Sequence, residues 1–412
     1  MQFLDPQQGD KLLGAFRVAS GIRDAVVLVH APVGCHWGIN FIERLSLGKT
    51  NTAISALRER SVIFGGHENL EKSIEIIFKG RKKRYLILLA ANVPSIIGDD
   101  WEGILDSVEP EISYIALDCG GYKGKMADGY EECLKELCRW IKDPEKKNEL
   151  SVNIIGIQKD VPRGSESVLE IKRILSLLGI KVNSVFPPSS ISEIWKASEA
   201  CMNLVFGYGV ELAKEMEERW QIPWLFFEGY PYGISGSERF IKKVSEAFEI
   251  NKKKTAKVIE KEKKNLLDKL KPAHMYLPCI YNLSVLISGD LPQVYGMASF
   301  LTQEIGCKVR IANVTSAYSW NKEIDELKDV CDNVLFDSSF HELERMVKEV
   351  DVDFIIGNEL DISISKRVGI PLVMFSFPSI SRITITELPY MGFRGVLSLV
   401  EDLINNVANF LE

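Results

Sequence analysis

One cysteine stands where a buried strand should end. Ala25 to Val29 is an apolar, β-branched run, and His30-Ala31-Pro32-Val33-Gly34-Cys35-His36-Trp37-Gly38 closes it with a proline–glycine turn. In an open α/β sheet, ligands bind just beyond the carboxyl ends of the strands. Gly34 and Cys35 therefore occupy a ligand-binding position. The chemistry open to a lone thiol there is narrow. Eight cysteines occur, at 35, 119, 133, 138, 201, 279, 307 and 331, and none forms a C-x-x-C pair. That spacing argues against a disulfide scaffold or a self-contained zinc site, and Cys35 cannot hold a metal cluster alone. Most of the cysteines read as small buried apolar residues of a reducing cytoplasm.

Other segments suggest chemistry and fail on spacing. Leu47-Gly48-Lys49-Thr50 ends like a phosphate-binding loop, but Glu43 stands where the first glycine is needed. Gly207-Tyr208-Gly209 has Leu212 in place of the third glycine of a dinucleotide fingerprint. His67-Glu68 is followed by Glu71, not by a second histidine, so a zinc-protease reading fails. No serine sits in a G-x-S-x-G elbow. Three glycine turns remain unabsorbed: Phe64-Gly65-Gly66-His67-Glu68-Asn69-Leu70, Ile96-Ile97-Gly98-Asp99-Asp100-Trp101, and Met391-Gly392-Phe393-Arg394-Gly395. Each reads as a turn that opens a helix.

The elements that must position these residues alternate along the chain. Strand patterns fall at 25–30, 61–64, 84–90, 112–117, 152–157, 181–186, 202–206, 283–288, 308–313, 353–357 and 371–375. Helical patterns fall at 10–22, 67–78, 100–107, 127–142, 165–178, 207–219, 236–270, 292–305, 339–349 and 394–411. Such alternation predicts an α/β fold with parallel sheets covered on both faces. Capping boxes are expected at Asp99 with Glu102, Ser190 with Glu193, and Ser235 with Glu238. Residues 242–271 carry eleven lysines against five acids, and read as the solvated face of a long bridging helix.

Bulk composition bounds the partners. A chain of 412 residues is too long for one core and suggests two to three domains. A net charge of −7 argues against nucleic acid as a partner. No apolar run is long enough for a membrane span, and Met1-Gln2-Phe3-Leu4-Asp5-Pro6 lacks the pattern of a signal peptide.

Taken in order, these segments resemble the nitrogenase component 1 family, which includes nitrogenase, its cofactor-assembly scaffold and the dark-operative tetrapyrrole reductases. The resemblance is carried by Leu13-Gly14-Ala15, Gly21-Ile22, the Cys35 turn, Cys119-Gly120-Gly121-Tyr122-Lys123-Gly124, Ile222-Pro223-Trp224, Pro231-Tyr232-Gly233-Ile234, Ser288-Gly289-Asp290, Ile370-Pro371-Leu372, Phe377-Pro378 and Met391 to Gly395. It implies three Rossmann-like domains, expected here at 1–148, 149–270 and 271–412, with a bridging helix closing the second. It implies a homologous α-type partner in an α2β2 assembly and an iron–sulfur cluster, of [4Fe-4S] kind, at the interface. It also implies a separate iron protein that hydrolyses ATP and delivers electrons.

A full-complement subunit of that family carries three cluster cysteines. The motifs align them with Asp10, Cys35 and Asn92. A cubane cluster takes four ligands, usually thiolates, so three would come from another chain. Asp10 has two readings: a carboxylate ligand, or a helix N-terminal residue favoured by the helix dipole. Asn92 reads as a turn residue. His36 could hydrogen-bond a cluster sulfur, or serve as a polar interface residue. The positions matching the larger nitrogenase subunit's cofactor cysteine and histidine are Val205 and Met391. A metallocluster held within this chain alone is therefore not expected. The expected function is a β-type subunit of a nitrogenase-like reductase. A non-catalytic metallocluster assembly scaffold and a cluster-free binding homodimer are the alternatives.

Overall fold

The computed structural model describes residues 9–35, 51–80, 85–108, 111–187, 189–318 and 322–408. Val26–His30 (β1), Thr52–Ile54 (β2), Tyr85–Ala90 (β3) and Ser113–Asp118 (β4) form one sheet, in the order β2-β1-β3-β4. Asn148–Ile155 (β5), Lys181–Phe186 (β6), Ala200–Phe206 (β7) and Trp224–Phe227 (β8) form a second, ordered β6-β5-β7-β8. Ser284–Asp290 (β9), Lys308–Ser316 (β10), Cys331–Phe336 (β11), Phe354–Gly357 (β12) and Leu372–Met374 (β13) form the third, ordered β11-β10-β9-β12-β13. Every pairing is parallel. The central strands β1 and β9 are buried along their whole length. Strands covered on both faces need such continuous apolar runs, and this is the doubly wound architecture that the alternation implied.

Several local expectations change. Residues 61–64 are not a strand. They end the Glu59–Phe64 helix, with Ile63 and Phe64 exposed. The edge strand β2, only three residues long and half-buried, precedes it. The strands β8 and β11 carry partly exposed runs and lacked a strand signal in the sequence. The expected helix over 236–270 is two helices, Gly233–Ala247 and Lys252–Leu270. They part where Glu249 takes a left-handed conformation (φ 51°) and the Asn251 side chain accepts from Lys253 N at 2.8 Å. Thr255, Ile259, Glu262 and Leu266 form the buried stripe of the second helix.

Of the three capping boxes, only Ser190–Glu193 forms. Asp100, not Asp99, accepts from Gly103 N at 3.0 Å. Gly233–Ala247 begins before Ser235, and its N–H groups at Ile234 and Ser235 donate to the distant Glu304 at 2.8 Å each.

One contact closes the first unit on itself, and another ties the three units together. The Lys11–Ala19 and Met126–Glu136 helices cross in backbone contact. A β-carbon at Gly14 would lie 1.8 Å from the Met126 carbonyl oxygen, and one at Gly129 would lie 1.9 Å from that of Lys11. Only glycine allows this approach. Where the three sheets meet, Arg17 is fully buried between two carboxylates. Its guanidinium donates to Asp160 at 2.5 and 2.9 Å and to Asp290 at 3.5 Å, and stacks over Phe377 at 4.0 Å. The Gln158 amide also donates to Asp290. Burial pushes the Asp290 carboxyl up, against the pull of Arg17. Burial opposes the charge on Arg17 as well, but Asp160 and Asp290 together raise its pKa.

Candidate functional site

In the first sheet the strand order reverses between β1 and β3, and a crevice opens beyond the carboxyl ends of strands at such a point. β1 leads into the Cys35 turn and β3 leads into Asn92. Cys35 N donates to Pro32 O at 3.2 Å, which closes the turn, and the exposed Gly34 has no neighbouring atom within 4 Å of a β-carbon. Cys35 is half-buried and packs on the core of this sheet.

Two of the three aligned positions, Asp10 and Asn92, meet at one glycine. Asn92 accepts from Gly121 N, and a β-carbon at Gly121 would lie 3.3 Å from the Asn92 carbonyl and 3.4 Å from Asp10 Cβ. Asp10 caps the first helix, its Oδ1 accepting from Leu13 N at 2.9 Å. Its charge reaches the thiol: burial first, then Asp10, pushes the Cys35 pKa up. An anion beside a half-buried sulfur disfavours a free thiolate. A bound cation would reverse that balance. Among the described residues no three His, Cys, Asp or Glu side chains group as a metal site. Cys35 offers a thiol of the kind iron–sulfur clusters take, one of the four donors a cubane needs. His36 and Trp37 lie outside the described residues, as does the Leu47–Thr50 segment.

Large apolar side chains line the same edge. Val33 lies on the turn itself, and Ile63 (74% exposed) and Phe64 (79%) end the Glu59–Phe64 helix. Ile96 (70%) follows on the Asn92–Ile97 helix, and Tyr122 bonds Ser95 on that helix at 2.6 Å. An apolar patch left in water marks an interaction surface.

Behind the turn lies a network that the sequence did not announce. The fully buried His30 ring meets Ser55 Oγ at 2.8 Å through Nδ1 and Asp99 Oδ2 at 3.2 Å through Nε2. Asp99 accepts from Gly66 N at 2.9 and 3.1 Å, which joins two of the glycine turns seen in the sequence. Serine, histidine and aspartate in a row suggest hydrolysis, but Ser55 is buried and its oxygen already accepts from Ala31 N at 3.1 Å. It has no path to a substrate. Burial holds the His30 pKa down, against the pull of Asp99.

Val205 is buried inside β7, and Met391 is buried ahead of the Gly392–Leu403 helix. Neither offers a metal donor of the kind the larger nitrogenase subunit uses. The junction between the second and third sheets is filled by Arg17, Asp160 and Asp290.

Comparison with known proteins follows the same line. A family profile described as nitrogenase component 1 type oxidoreductase matches residues 11–408. One of the subunits of the light-independent protochlorophyllide reductase of Nostoc punctiforme is 23% identical over 427 aligned positions, covering 97% of this chain and 82% of its own. The nitrogenase molybdenum-iron protein beta chain of Methanothermobacter thermautotrophicus is 24% identical over 438, covering 96% of this chain and 92% of its own. A solved structure described as nitrogenase Cp1 at pH 6.5 superposes with a TM-score of 0.84 at 20% identity, covering 100% of this chain and 94% of its own.

Proposed function

Because this chain belongs to the nitrogenase component 1 type oxidoreductases, we propose that Cys35 supplies one thiolate to an iron–sulfur cluster completed by an α-type partner. The chain is a β-type subunit of a nitrogenase-like reductase, in line with relatives that are reductase and nitrogenase subunits. One observation carries the shared-cluster reading. Asp10 and Asn92 share Gly121, the Asp10 charge reaches the Cys35 thiol, and exposed apolar side chains follow the same strand ends as a rim, which supports a cluster site with one thiol from this chain. A [4Fe-4S] cluster needs four ligands, and the rim is where the chain supplying the others would seat.

When bound, such a cluster supplies one-electron transfer. The residues of this chain do the rest. The Pro32–Cys35 turn presents the sulfur, and Asp10 and Asn92 anchor the neighbouring backbone. The rim would exclude water once covered. In this reading the donor is a separate ATP-hydrolysing iron protein, the assembly is α2β2, the compartment is the cytoplasm, and substrate is bound mainly by the α-type chain. Among the described residues no helix is long and apolar enough to cross a membrane.

The test is anaerobic co-purification with the α-type chain, followed by iron and sulfide assays. Wild type should carry both metal and partner, and Cys35→Ala should lose cluster occupancy or change its spectrum. Wild type without iron or partner, or an unaltered cluster in Cys35→Ala, would overturn the reading.

A further inference from the structure

We propose that His30 is a positioning residue, and that the Ser55–His30–Asp99 chain fixes the turn that presents the Cys35 sulfur. This rests on the reading of Cys35 as a cluster ligand. With burial favouring the neutral ring, its partners assign the hydrogen bonding. Asp99 is an acceptor, since it takes the Gly66 N–H on both oxygens, so ring Nε2 donates to it. Nδ1 is then the acceptor for the Ser55 hydroxyl, whose oxygen accepts the Ala31 N–H. One neutral imidazole thereby links the end of β1, the segment after β2 and both glycine turns.

The backbone around it leaves the turn little freedom. Ser55 N donates to Val29 O, Leu57 N to Ala31 O and Ala91 N to His30 O, each at 3.0 to 3.1 Å. Pro32 pairs with Leu57. The packing admits no extra atom, because a β-carbon at Gly66 would lie 2.5 Å from Asp99 Oδ2 and 2.8 Å from His30 Cε1. The turn is rigid from behind and open in front, which is the arrangement that pre-organises a ligand. Groups behind a metal ligand set its orientation and the properties of the metal, and their loss typically costs about tenfold or more in metal affinity.

The experiment uses Ser55→Ala and Asp99→Asn, each nearly isosteric, in the anaerobic complex, with His30→Gln as the bolder variant. The expected result is a shifted midpoint potential, an altered EPR spectrum, and about tenfold faster iron loss to a chelator. Ile355→Val, deep in the third sheet, controls for general destabilisation and should move neither potential nor spectrum. In the isolated chain, mass mapping of alkylation at Cys35 should show faster labelling in all three variants than in wild type. That arm needs no cluster, so it separates the two readings. A cluster unaffected by Cys35→Ala refutes Cys35 ligation, whereas unchanged potential, spectrum and labelling in Ser55→Ala and Asp99→Asn refute the positioning role.

Discussion

Replacing Gly14 with alanine should damage the molecule more than any single methyl group usually does. The added β-carbon would sit 1.8 Å from the Met126 carbonyl oxygen, 2.7 Å from its carbon and 2.9 Å from Tyr130 N. Non-bonded heavy atoms settle near ~3.5 Å, so the two helices must part by roughly 1.5 Å. Overpacking costs about 1–3 kcal/mol. The upper figure applies here because all three atoms belong to backbone that cannot rotate away. In a chain of this length, about 3 kcal/mol lowers the unfolding midpoint by roughly 3–4 °C. Gly129→Ala makes the mirror-image collision with Lys11 O at 1.9 Å. Once one methyl group has parted the helices, the second finds room, so the double variant should lose less than the sum of the two. Gly34→Ala, with nothing within 4 Å of its β-carbon, is the neutral control. Thermal and urea unfolding of the four variants measure the effect. A Gly14→Ala midpoint equal to wild type, or strict additivity in the double variant, would refute the argument.

Other outcomes follow from the same geometry. Arg17→Met should cost about 3–5 kcal/mol, because it strands Asp160 and Asp290 without their cation. Adding Asp290→Asn should restore part of that loss in urea unfolding. Asp361 is fully buried, and burial pushes its carboxyl up to about 6, against the N–H of Asn358. Its folded pKa lies above the unfolded one, so its stabilising contribution is complete below about pH 4 and is lost as the pH rises through about 6. Asp361→Asn should flatten that part of the midpoint-versus-pH curve, and an unchanged curve would contradict the assignment. Phe64→Ser should leave the unfolding midpoint of the isolated chain in place while weakening recovery of the partner, since the side chain is already 79% exposed.

What the sequence disclosed depended on where each residue's neighbours lie. β1 and the Cys35 turn were legible because a strand buried on both faces spells out its burial as a continuous run. Ser61 to Phe64 misled for the opposite reason: its apolar side chains serve the surface, and a hydrophobic pattern alone cannot separate a buried run from an exposed rim. The break after Phe248 was hidden because both helices keep apolar residues at helical spacing, leaving only the Asn251 cap as a sign. Asp10, Cys35 and Asn92 were read together from motif order; Asp10 and Asn92 meet at Gly121, and the Asp10 charge reaches the Cys35 thiol. The His30 network had no local signature, since its partners lie 25 and 69 residues away.

The buried guanidinium also sets a timetable. Arg17 meets Asp160 across 143 residues of sequence and Asp290 across 273. At ribosomal rates of about 5–20 residues per second, the later carboxylate emerges on the order of 15–55 s after the arginine. Throughout that interval the nascent amino-terminal portion carries a cation without its full complement of anions. The native arrangement can close only when the carboxyl-terminal third arrives. Truncation before Asp290 should therefore yield a species held by chaperones rather than a smaller stable protein.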